Sequence, residues 1–457
     1  MTPRLILINR DYTRLWIGQA VSSVGDAVFS TTLVLWVATV LAKDETWAPM
    51  AVSGVLLSTG IAVLFVGPLA GVFVDRWDKR RTMLRTEVVR GGLVAVLTLV
   101  SFLPVDALPV GVWLALVYAT VLMLNASAQF FTPARFAVIG DLVTGEADRA
   151  RAAGIAQATA QTAWIIGPPL AAPLLFTAGL QWALLLNAVS YAVSYIVIRS
   201  IGAGRPAPAA GRTGGARQPA NVFGEFTAGL RFFRRSKFLV ALIVLAVIGQ
   251  FGTGALSTLN VFFATDNLHM PTHLYGYIGT AMGLGGIVGA LCAGRVVQWI
   301  GARRTTWAGL LVSGVLLLVY SRQTGFVGGV VLLFLFTVPL TMLNTAMAPL
   351  LLGAAPAEYR GRVVSVFYPV TQLASMLSAV LSGWLAGSVL RDVAGSFAGI
   401  RFGPVDTVFA ASGVFVVLSG VYAWTALPRT EAPEKPDPGP AAAPDEPLPA
   451  TPRGRTK

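Results

Sequence analysis

The chain has 457 residues, of which 55% are hydrophobic and only 12% are charged. A soluble globular protein has about 25% charged residues, so this chain lacks the charge that a water-exposed surface needs. A predominantly disordered chain is also excluded, because disorder requires low hydrophobicity. We therefore expect a protein that crosses a membrane many times.

Twelve apolar stretches are long enough to cross a bilayer as helices, which takes about 20 residues each. Barrel strands would be short and alternating, and open sheets would leave unpaired backbone groups in lipid. The predicted fold class is therefore an all-α membrane protein with twelve transmembrane helices. These stretches, called spans 1 to 12 below, cover residues 15–40, 49–74, 82–103, 109–131, 152–176, 179–199, 238–264, 274–299, 305–320, 326–352, 363–389 and 405–427.

Basic residues are concentrated on one side of the predicted membrane. With a cytoplasmic N-terminus, the outer loops contain only four of the 34 lysines and arginines, namely Lys43, Arg322, Arg391 and Arg401. Because cytoplasmic loops carry the excess of basic residues, we expect both termini in the cytoplasm and the chain in the cell membrane. The net charge of +13 then reflects the membrane topology, and we expect the basic residues of the inner loops to contact anionic lipid. We expect no nucleic-acid partner.

The spans fall into two groups of six. Residues 1–200 are predicted to form an N-terminal bundle and residues 238–427 a C-terminal bundle. Residues 201–237 are a predicted cytoplasmic linker, in which apolar residues at helical spacing indicate an amphipathic helix on the inner leaflet: Phe223, Phe226, Leu230 and Phe233. Residues 428–457 contain nine of the 27 prolines and are a predicted disordered cytoplasmic tail.

A short motif recurs between the second and third spans of each half. The first copy is G-V-F-V-D-R-W-D-K-R-R, and the second, which runs from Gly294 to the pair Arg303 and Arg304, is G-R-V-V-Q-W-I-G-A-R-R. Duplicated six-helix halves are typical of secondary transporters, which bind substrate at the interface of the repeats. A second repeated motif follows the fourth span of each half and contains the candidate inner-gate charges: Arg149, Arg151, Arg360 and Arg362.

These motifs resemble the major facilitator superfamily of transporters. The segments N-R-D-Y-T-R-L-W-I-G-Q-A-V-S-S-V-G-D, F-F-T-P-A-R, A-G-L-R-F-F and Y-R-G-R-V are similar to its branch of drug, macrolide and siderophore (enterobactin) exporters. The resemblance covers residues 9 to 427 and implies two pseudo-symmetric six-helix bundles that work by alternating access. The loop signature of the superfamily, motif A, matches the first repeat copy at Gly71, Asp75, Arg76, Arg80 and Arg81, with Asp78 where the family usually has glycine.

The resemblance also implies two devices for conformational change. In the superfamily the motif A aspartate engages the start of span 11 and latches the inner side, so Asp75 is expected to face the segment that opens at Val363. The alternative is that these charges only fix the topology. Gly167 and Pro168 in span 5 resemble the antiporter signature, motif C, although the following residues end in Ala-Ala rather than Gly-Gly. The alternative there is a helix kink alone, because proline removes a backbone donor.

Asp26 in span 1 is the clearest candidate for transport chemistry. It stands twelve residues after Arg14, which corresponds to about 18 Å along a helix and places it near the middle of the membrane. An acidic residue at that depth is costly and is by default a functional candidate, and a low dielectric favours its neutral form. We expect Asp26 to couple transport to protons or to bind a substrate cation. The alternative is a neutral, hydrogen-bonded structural aspartate.

Polar residues recur on one face of several spans. In the resembled fold spans 1, 4, 7 and 10 line the cavity, while an interhelical hydrogen bond is the alternative role for each amide. Glu87 and Arg90 in span 3 are interpreted as a local i, i+3 ion pair near the lipid headgroups. The candidates for a polar cavity lining are Gln19, Ser22, Asn125, Gln129, Gln161, Gln250, Asn260, Thr341 and Asn344.

No motif indicates an enzyme. None of the lysines follows a glycine, so the phosphate-binding G-x-x-x-x-G-K-[ST] loop of ATP-driven pumps is absent from the sequence. Cys292 stands alone, and we expect no cofactor and no metal site. The predicted function is proton-coupled efflux of a small amphipathic molecule, such as a drug, antibiotic, siderophore or secondary metabolite, by a monomer. The alternatives are uptake, a lipid-like substrate, or a non-transporting membrane receptor on the same fold.

Overall fold

The computed structural model describes residues 7–143, 145–201, 230–231, 233–234, 236–354, 360–391, 395–397 and 400–427. Most of the predicted linker and the whole predicted tail lie outside these residues, so the amphipathic helix and the disordered tail stay predictions. The described part of the chain is almost entirely helical.

Six helical segments occupy the positions of spans 1 to 6. Span 1 is the α-helix Arg10–Trp36, continued by a π-helical turn at Val37–Leu41. Span 2 consists of two α-helices, Ala48–Ile61 and Gly67–Arg76, joined by a π-helical turn at Ala62–Val66. Spans 3 to 6 are Lys79–Val100, Val110–Leu142, Glu146–Pro173 with a π-helical turn at Leu174–Ala178, and Leu180–Ser200; a short 3-10 turn, Val105–Ala107, precedes span 4.

The second half repeats this arrangement. Span 7 is Lys237–Phe262 with a π-helical turn at Phe263–Asn267, and a 3-10 turn, Thr272–Leu274, leads into span 8. Spans 8 to 10 are Gly276–Ile300, Ala302–Tyr320 and Phe326–Gly353. Span 11 is Arg360–Trp384 with a π-helical turn at Leu385–Val389, and span 12 is Pro404–Ala426. Between them, two short strands, Gly395–Phe397 and Ile400–Phe402, pair antiparallel.

Ten helices in the described part of the chain are long and apolar enough to cross a membrane. Spans 3 and 5 fall outside that set, although they are α-helices of 22 and 28 residues. Span 3 is less apolar because it carries six charged residues, among them Glu87 and Arg90. An all-α membrane fold with twelve helical spans, as predicted, is confirmed.

The repeated loop motif has the same structural role in both halves. Arg80 donates from Nη2 to the Arg199 carbonyl at 2.6 Å and from Nε to the Ile198 carbonyl at 3.3 Å, at the end of span 6. Arg303, at the equivalent position, donates to the Leu427 and Trp424 carbonyls at 2.8 Å, at the end of span 12. A cation is favourable at the C-terminal carbonyls of a helix. Each arginine therefore ties the third span of its half to the last.

The departure from the family pattern at Asp78 has a local cause. Its carboxylate accepts a hydrogen bond from the Arg81 amide at 2.7 Å and so caps the N-terminus of span 3. The equivalent residue of the second half is Gly301, which begins span 9 with a φ of +85°. Glycine adopts that backbone conformation without strain, so the two halves begin the same helix by different means.

Candidate functional site

Asp26 of span 1 is paired with an arginine of span 3. Its Oδ2 accepts a hydrogen bond from Arg90 Nη2 at 2.8 Å, and its Oδ1 accepts one from the hydroxyl group of Tyr191 in span 6 at 2.5 Å. The side chain of Asp26 is 40% exposed, whereas that of Arg90 is 9% exposed. A cation and a hydroxyl donor thus hold the Asp26 carboxyl group, while its side chain stays partly exposed.

Glu87 lies on the other side of the same guanidinium group. Ser194 of span 6 donates to Glu87 Oε1 at 2.7 Å, and Glu87 Oε2 lies 3.9 Å from Arg90 Nη1. The expected i, i+3 pair is therefore confirmed, but it is buried, because Glu87 is 1% exposed and Arg90 is 7% exposed. Span 3 turns both residues toward spans 1 and 6 instead of toward solvent.

Two further side chains extend this polar contact to span 4. The amide of Gln19 donates to Ser194 Oγ at 3.1 Å, and Arg135 Nη1 donates to Gln19 Oε1 at 3.3 Å. The guanidinium carbon of Arg90 lies 4.3 Å from the ring centre of Tyr191, which is a cation–π contact. We call these residues the Arg90 cluster: Gln19, Asp26, Glu87, Arg90, Arg135, Tyr191 and Ser194.

The Arg90 cluster breaks the pseudo-symmetry of the two halves. Glu87 and Arg90 follow Gly71 at the same distances at which Leu310 and Ser313 follow Gly294. Both second-half residues are buried, at 3% and 0% exposure. The second half therefore has neutral side chains where the first half has an acid and a base.

A large cavity lies beside these neutral residues, between the halves. Its volume is about 1160 Å³, and both Leu310 and Ser313 line it. The first half contributes Gln129 and residues of span 2, while most of the wall comes from spans 7, 10 and 11. Among the described residues that line it, none is charged, and four carry amides: Gln129, Gln250, Asn344 and Gln372. Ligand pockets usually measure about 300–1,000 Å³, so this cavity can hold a large molecule.

The polar residues singled out in the sequence lie in several environments. Gln129, Gln250 and Asn344 line the cavity. Gln19 belongs to the Arg90 cluster, and Ser22, also in span 1, is 4% exposed. Span 1 contributes no residue to the described lining, in contrast to the expectation that spans 1, 4, 7 and 10 line it together.

The remaining polar candidates lie outside the cavity lining. Asn125 donates to Thr59 Oγ1 of span 2 at 3.4 Å, and Asn260 accepts a hydrogen bond from the Tyr320 hydroxyl of span 9 at 2.6 Å. Both amides therefore make interhelical hydrogen bonds. Thr341 donates to the Thr337 carbonyl of its own helix at 2.9 Å, and Gln161 is half-buried in span 5.

The motif C-like residues form part of the contact between the halves. A β-carbon built on Gly276 in span 8 would lie 2.4 Å from Pro169 Cα, and one built on Gly279 would lie 2.6 Å from Pro168 Cβ. Gly167 packs equally closely against span 1, because a β-carbon built on it would lie 2.4 Å from Ala27 Cβ. Span 5 therefore packs tightly against span 8 and against the residue that follows Asp26.

We expect Gly276→Val to open the contact between spans 5 and 8. The neighbouring atoms are backbone atoms of Pro168 and Pro169 and cannot move aside, and overpacking costs about 1–3 kcal/mol. The population of this closed arrangement should fall about 5- to 150-fold. The measurement is the distance between spin labels at Trp164→Cys in span 5 and Tyr277→Cys in span 8, both of which are exposed positions. Cys292 is first replaced by serine so that it takes no label.

Gly154→Val in span 5 is the matched control, since a β-carbon there meets nothing within 4 Å. It should leave the label distance unchanged. An unchanged distance distribution in Gly276→Val as well would show that the close packing does not hold the two spans together.

The motif A latch stays a prediction. The surroundings of Gly71 and the side chains of Asp75, Arg360 and Arg362 lie outside the described part of the structure. Arg149 donates to the Val143 and Gly140 carbonyls at 3.0 and 3.3 Å and caps the end of span 4. The other arginines of these motifs are exposed: Arg76, Arg81, Arg151 and Arg304. A β-carbon built on Gly294 meets nothing within 4 Å.

Comparison with known proteins identifies the family. Residues 15–367 and 248–455 match the family model of the Major Facilitator Superfamily. The chain is 23% identical to macrolide efflux protein A of Streptococcus pyogenes over 379 residues, which covers 82% of this chain and 89% of that protein. It is 32% identical to a protein of Bacillus amyloliquefaciens described as bacilysin exporter BacE, over 41% of this chain and 43% of that protein.

A solved structure shows the same fold. The crystal structure of a bacterial homologue of the iron transporter ferroportin, in an inward-facing state, superposes with a TM-score of 0.70 at 14% identity. The match covers 92% of this chain and 99% of that one. Together with the twelve helical spans and the duplicated halves, these matches show that the chain belongs to the Major Facilitator Superfamily and is a multi-pass membrane transporter.

Proposed function

We propose that this transporter exports a small amphipathic molecule, such as a drug, antibiotic, siderophore or secondary metabolite, in exchange for protons. The observation that carries the proposal is the cavity of about 1160 Å³ between the halves, with its apolar wall and neutral amides. Such a lining suits a bulky, largely uncharged molecule, because it offers hydrogen bonds without an opposing charge. Two relatives that are named as efflux or export proteins support the outward direction.

Asp26 is the proposed coupling residue. Its carboxylate is 40% exposed and is held by Arg90 at 2.8 Å, so a proton can reach it and compete with the guanidinium group. Protonation removes the charge that attracts Arg90 and weakens the bond between spans 1 and 3. Because Gly167 packs against Ala27, a shift of span 1 reaches span 5 and its contact with span 8. Proton binding at Asp26 thereby biases the equilibrium between the two arrangements of the halves.

The remaining proposals concern topology and assembly. We place both termini in the cytoplasm and the protein in the cell membrane on the strength of the asymmetric basic loops, and we propose that it acts as a monomer. The domain boundaries proposed are those of the sequence: two bundles, a cytoplasmic linker and a tail. Asp75 and the arginines of motif A are proposed to latch the inner side against span 11.

Asp26→Asn should strongly reduce proton-driven transport while it preserves the fold. Asparagine keeps the shape and can still accept a hydrogen bond, but it cannot bind a proton. We expect transport of erythromycin, a macrolide, into inverted membrane vesicles under an imposed proton gradient to fall about 5- to 150-fold, the usual range of coupling between two sites. Exchange of erythromycin without a gradient should be retained.

Asp11→Asn is the control, because Asp11 lies on the same span and is as exposed as Asp26, at 41%, but it pairs with Arg14 at 3.3 Å instead of with Arg90. It should transport like the wild type. Gradient-driven transport by Asp26→Asn at the wild-type rate would contradict the coupling role. Wild-type vesicles that move no erythromycin under either gradient direction would contradict the substrate class.

A further inference from the structure

We propose that Glu87 is a second proton-binding residue of this transporter and that Arg90 is shared between Glu87 and Asp26. Glu87 holds a proton while Arg90 is bound to Asp26, and it becomes the partner of Arg90 when Asp26 is neutralised. The inference rests on the proposed proton coupling for its role in transport, but not for the protonation of Glu87 in this structure.

The burial of Glu87 is the first argument. Its side chain is 0% exposed, and its Oε2 has no hydrogen-bond partner among the described residues. An ionised carboxylate with an unpaired oxygen in a dry site costs several kcal/mol, whereas the neutral acid avoids that cost. The hydroxyl group of Ser194 satisfies the other oxygen, Oε1, at 2.7 Å, and that bond can form with either protonation state.

The second argument is that one guanidinium group faces two acids. Arg90 Nη2 is 2.8 Å from Asp26 Oδ2, but Nη1 is 3.9 Å from Glu87 Oε2, which exceeds hydrogen-bond distance. Asp26 also receives the Tyr191 hydroxyl, so it has two donors where Glu87 has one. The negative charge is therefore more stable on Asp26, and the proton on Glu87.

The surrounding groups do not supply Glu87 with another cation. Span 1 presents Gln19 and Asp26, and span 6 presents Ser194 and Tyr191, none of which is positive. Span 4 contributes Arg135, which donates a hydrogen bond to Gln19 Oε1 at 3.3 Å. On span 3 itself, Arg90 is the described base within 4 Å of the Glu87 carboxyl group. Glu87 can thus ionise only when Arg90 turns toward it.

The exchange conserves charge and protons. One proton from water binds to the Asp26 carboxylate and makes it neutral. Arg90 then turns from Asp26 to Glu87, closing the present gap of 3.9 Å between Nη1 and Oε2. The O–H bond of the Glu87 carboxyl group breaks, and its proton passes to a water molecule. The pair of acids therefore holds one proton before and after the exchange.

Infrared spectroscopy of the purified transporter tests the protonation directly. At neutral pH the wild type should show the C=O stretch of a protonated carboxyl group, and Glu87→Gln should lose it. Asp26→Asn should weaken that band, because Arg90 then turns to Glu87 and favours its ionised form. Asp406→Asn is the control, since Asp406 is a buried acid paired with Arg322 at 3.5 Å in the second half; it should leave the band unchanged.

Transport measurements test the role. Glutamine has the shape of the neutral acid, so Glu87→Gln should fold and exchange erythromycin, but its gradient-driven transport should fall about 5- to 150-fold. Glu87→Asp keeps an acid and should retain more coupling than Glu87→Gln; it serves as the second variant if glutamine prevents assembly. Asp406→Asn should transport like the wild type.

The outcomes separate this inference from the proposed function. A wild-type spectrum whose protonated carboxyl band survives unchanged in Glu87→Gln overturns the assignment of the proton to Glu87. Full gradient-driven transport by Glu87→Gln overturns its role in coupling. A wild type that shows the Glu87 band but whose flux ignores the proton gradient refutes the proposed function, while the protonation of Glu87 stands.

Discussion

Replacement of Arg90 by methionine is expected to destabilise the protein by about 1.5–3 kcal/mol, because the half-buried Asp26 carboxyl group loses its charge-assisted hydrogen bond from Arg90. Arg90 is 7% exposed, bonds Asp26 and stacks on Tyr191, so its loss affects spans 1, 3 and 6 together. Methionine retains an apolar stem of similar length and isolates the loss of charge from the loss of packing. The measurement is the denaturant midpoint of the detergent-solubilised protein, followed by tryptophan fluorescence.

A second substitution separates charge from packing in this prediction. Asp26→Asn in the Arg90→Met background should recover part of the lost stability, because the uncompensated carboxylate is then gone; the four midpoints form a double-mutant cycle. Arg85→Met is the matched control, since Arg85 is an exposed arginine on the same helix. If Arg90→Met and Arg85→Met unfold at the same midpoint, the Asp26–Arg90 pair does not hold the bundle together.

The fold was predictable because it depends on signals that are local in the sequence. Apolar stretches locate the spans, and the prediction of 326–352 agrees with the helix Phe326–Gly353 to within a residue at each end. Charged stretches are less reliable guides: span 4 was predicted for 109–131, but its helix is Val110–Leu142 and continues past Arg135. The repeat motif identified the duplication, and Arg80 and Arg303 make the same kind of contact in each half.

The Arg90 cluster was only partly predictable, because its contacts are long-range. Asp26 is visible as an acid within an apolar stretch, but Arg90 follows it by 64 residues and Tyr191 by 165. Which way span 3 turns its charged face depends on packing that the sequence does not display. One signal was available: Val88 to Val100 continues as an apolar run around Arg90, which places the arginine inside the membrane rather than at its edge.

The lining of the cavity was also only partly predictable from the sequence. The polar stripes of spans 4, 7 and 10 contribute Gln129, Gln250 and Asn344 to its wall, whereas the stripe of span 1 turns toward the Arg90 cluster. Both kinds of stripe have the same helical spacing, so periodicity alone cannot separate a cavity face from a buried polar cluster. The polar residues of span 1 and those of the cavity wall therefore lie in two regions of different chemistry, one charged and one neutral.

Gly249→Trp is expected to block transport of large substrates without unfolding the protein. Gly249 lines the cavity, and outside its own helix a β-carbon there meets only Leu310 Cδ2, at 3.5 Å. The indole ring therefore enters the cavity instead of colliding with a neighbouring helix. Steric conflict with a bound macrolide should cost about 1–3 kcal/mol, so erythromycin transport should fall about 5- to 150-fold.

Gly154→Trp makes the same change in span 5, where a β-carbon meets nothing within 4 Å, and Gly154 does not line the cavity. It should transport erythromycin at the wild-type rate. Because no residue of the Arg90 cluster is among the described residues that line this cavity, Gly249→Trp should keep the infrared band of Glu87 while its erythromycin transport falls. Undiminished erythromycin transport by Gly249→Trp would place the substrate elsewhere, whereas loss of both properties would mean that cargo and proton share one site.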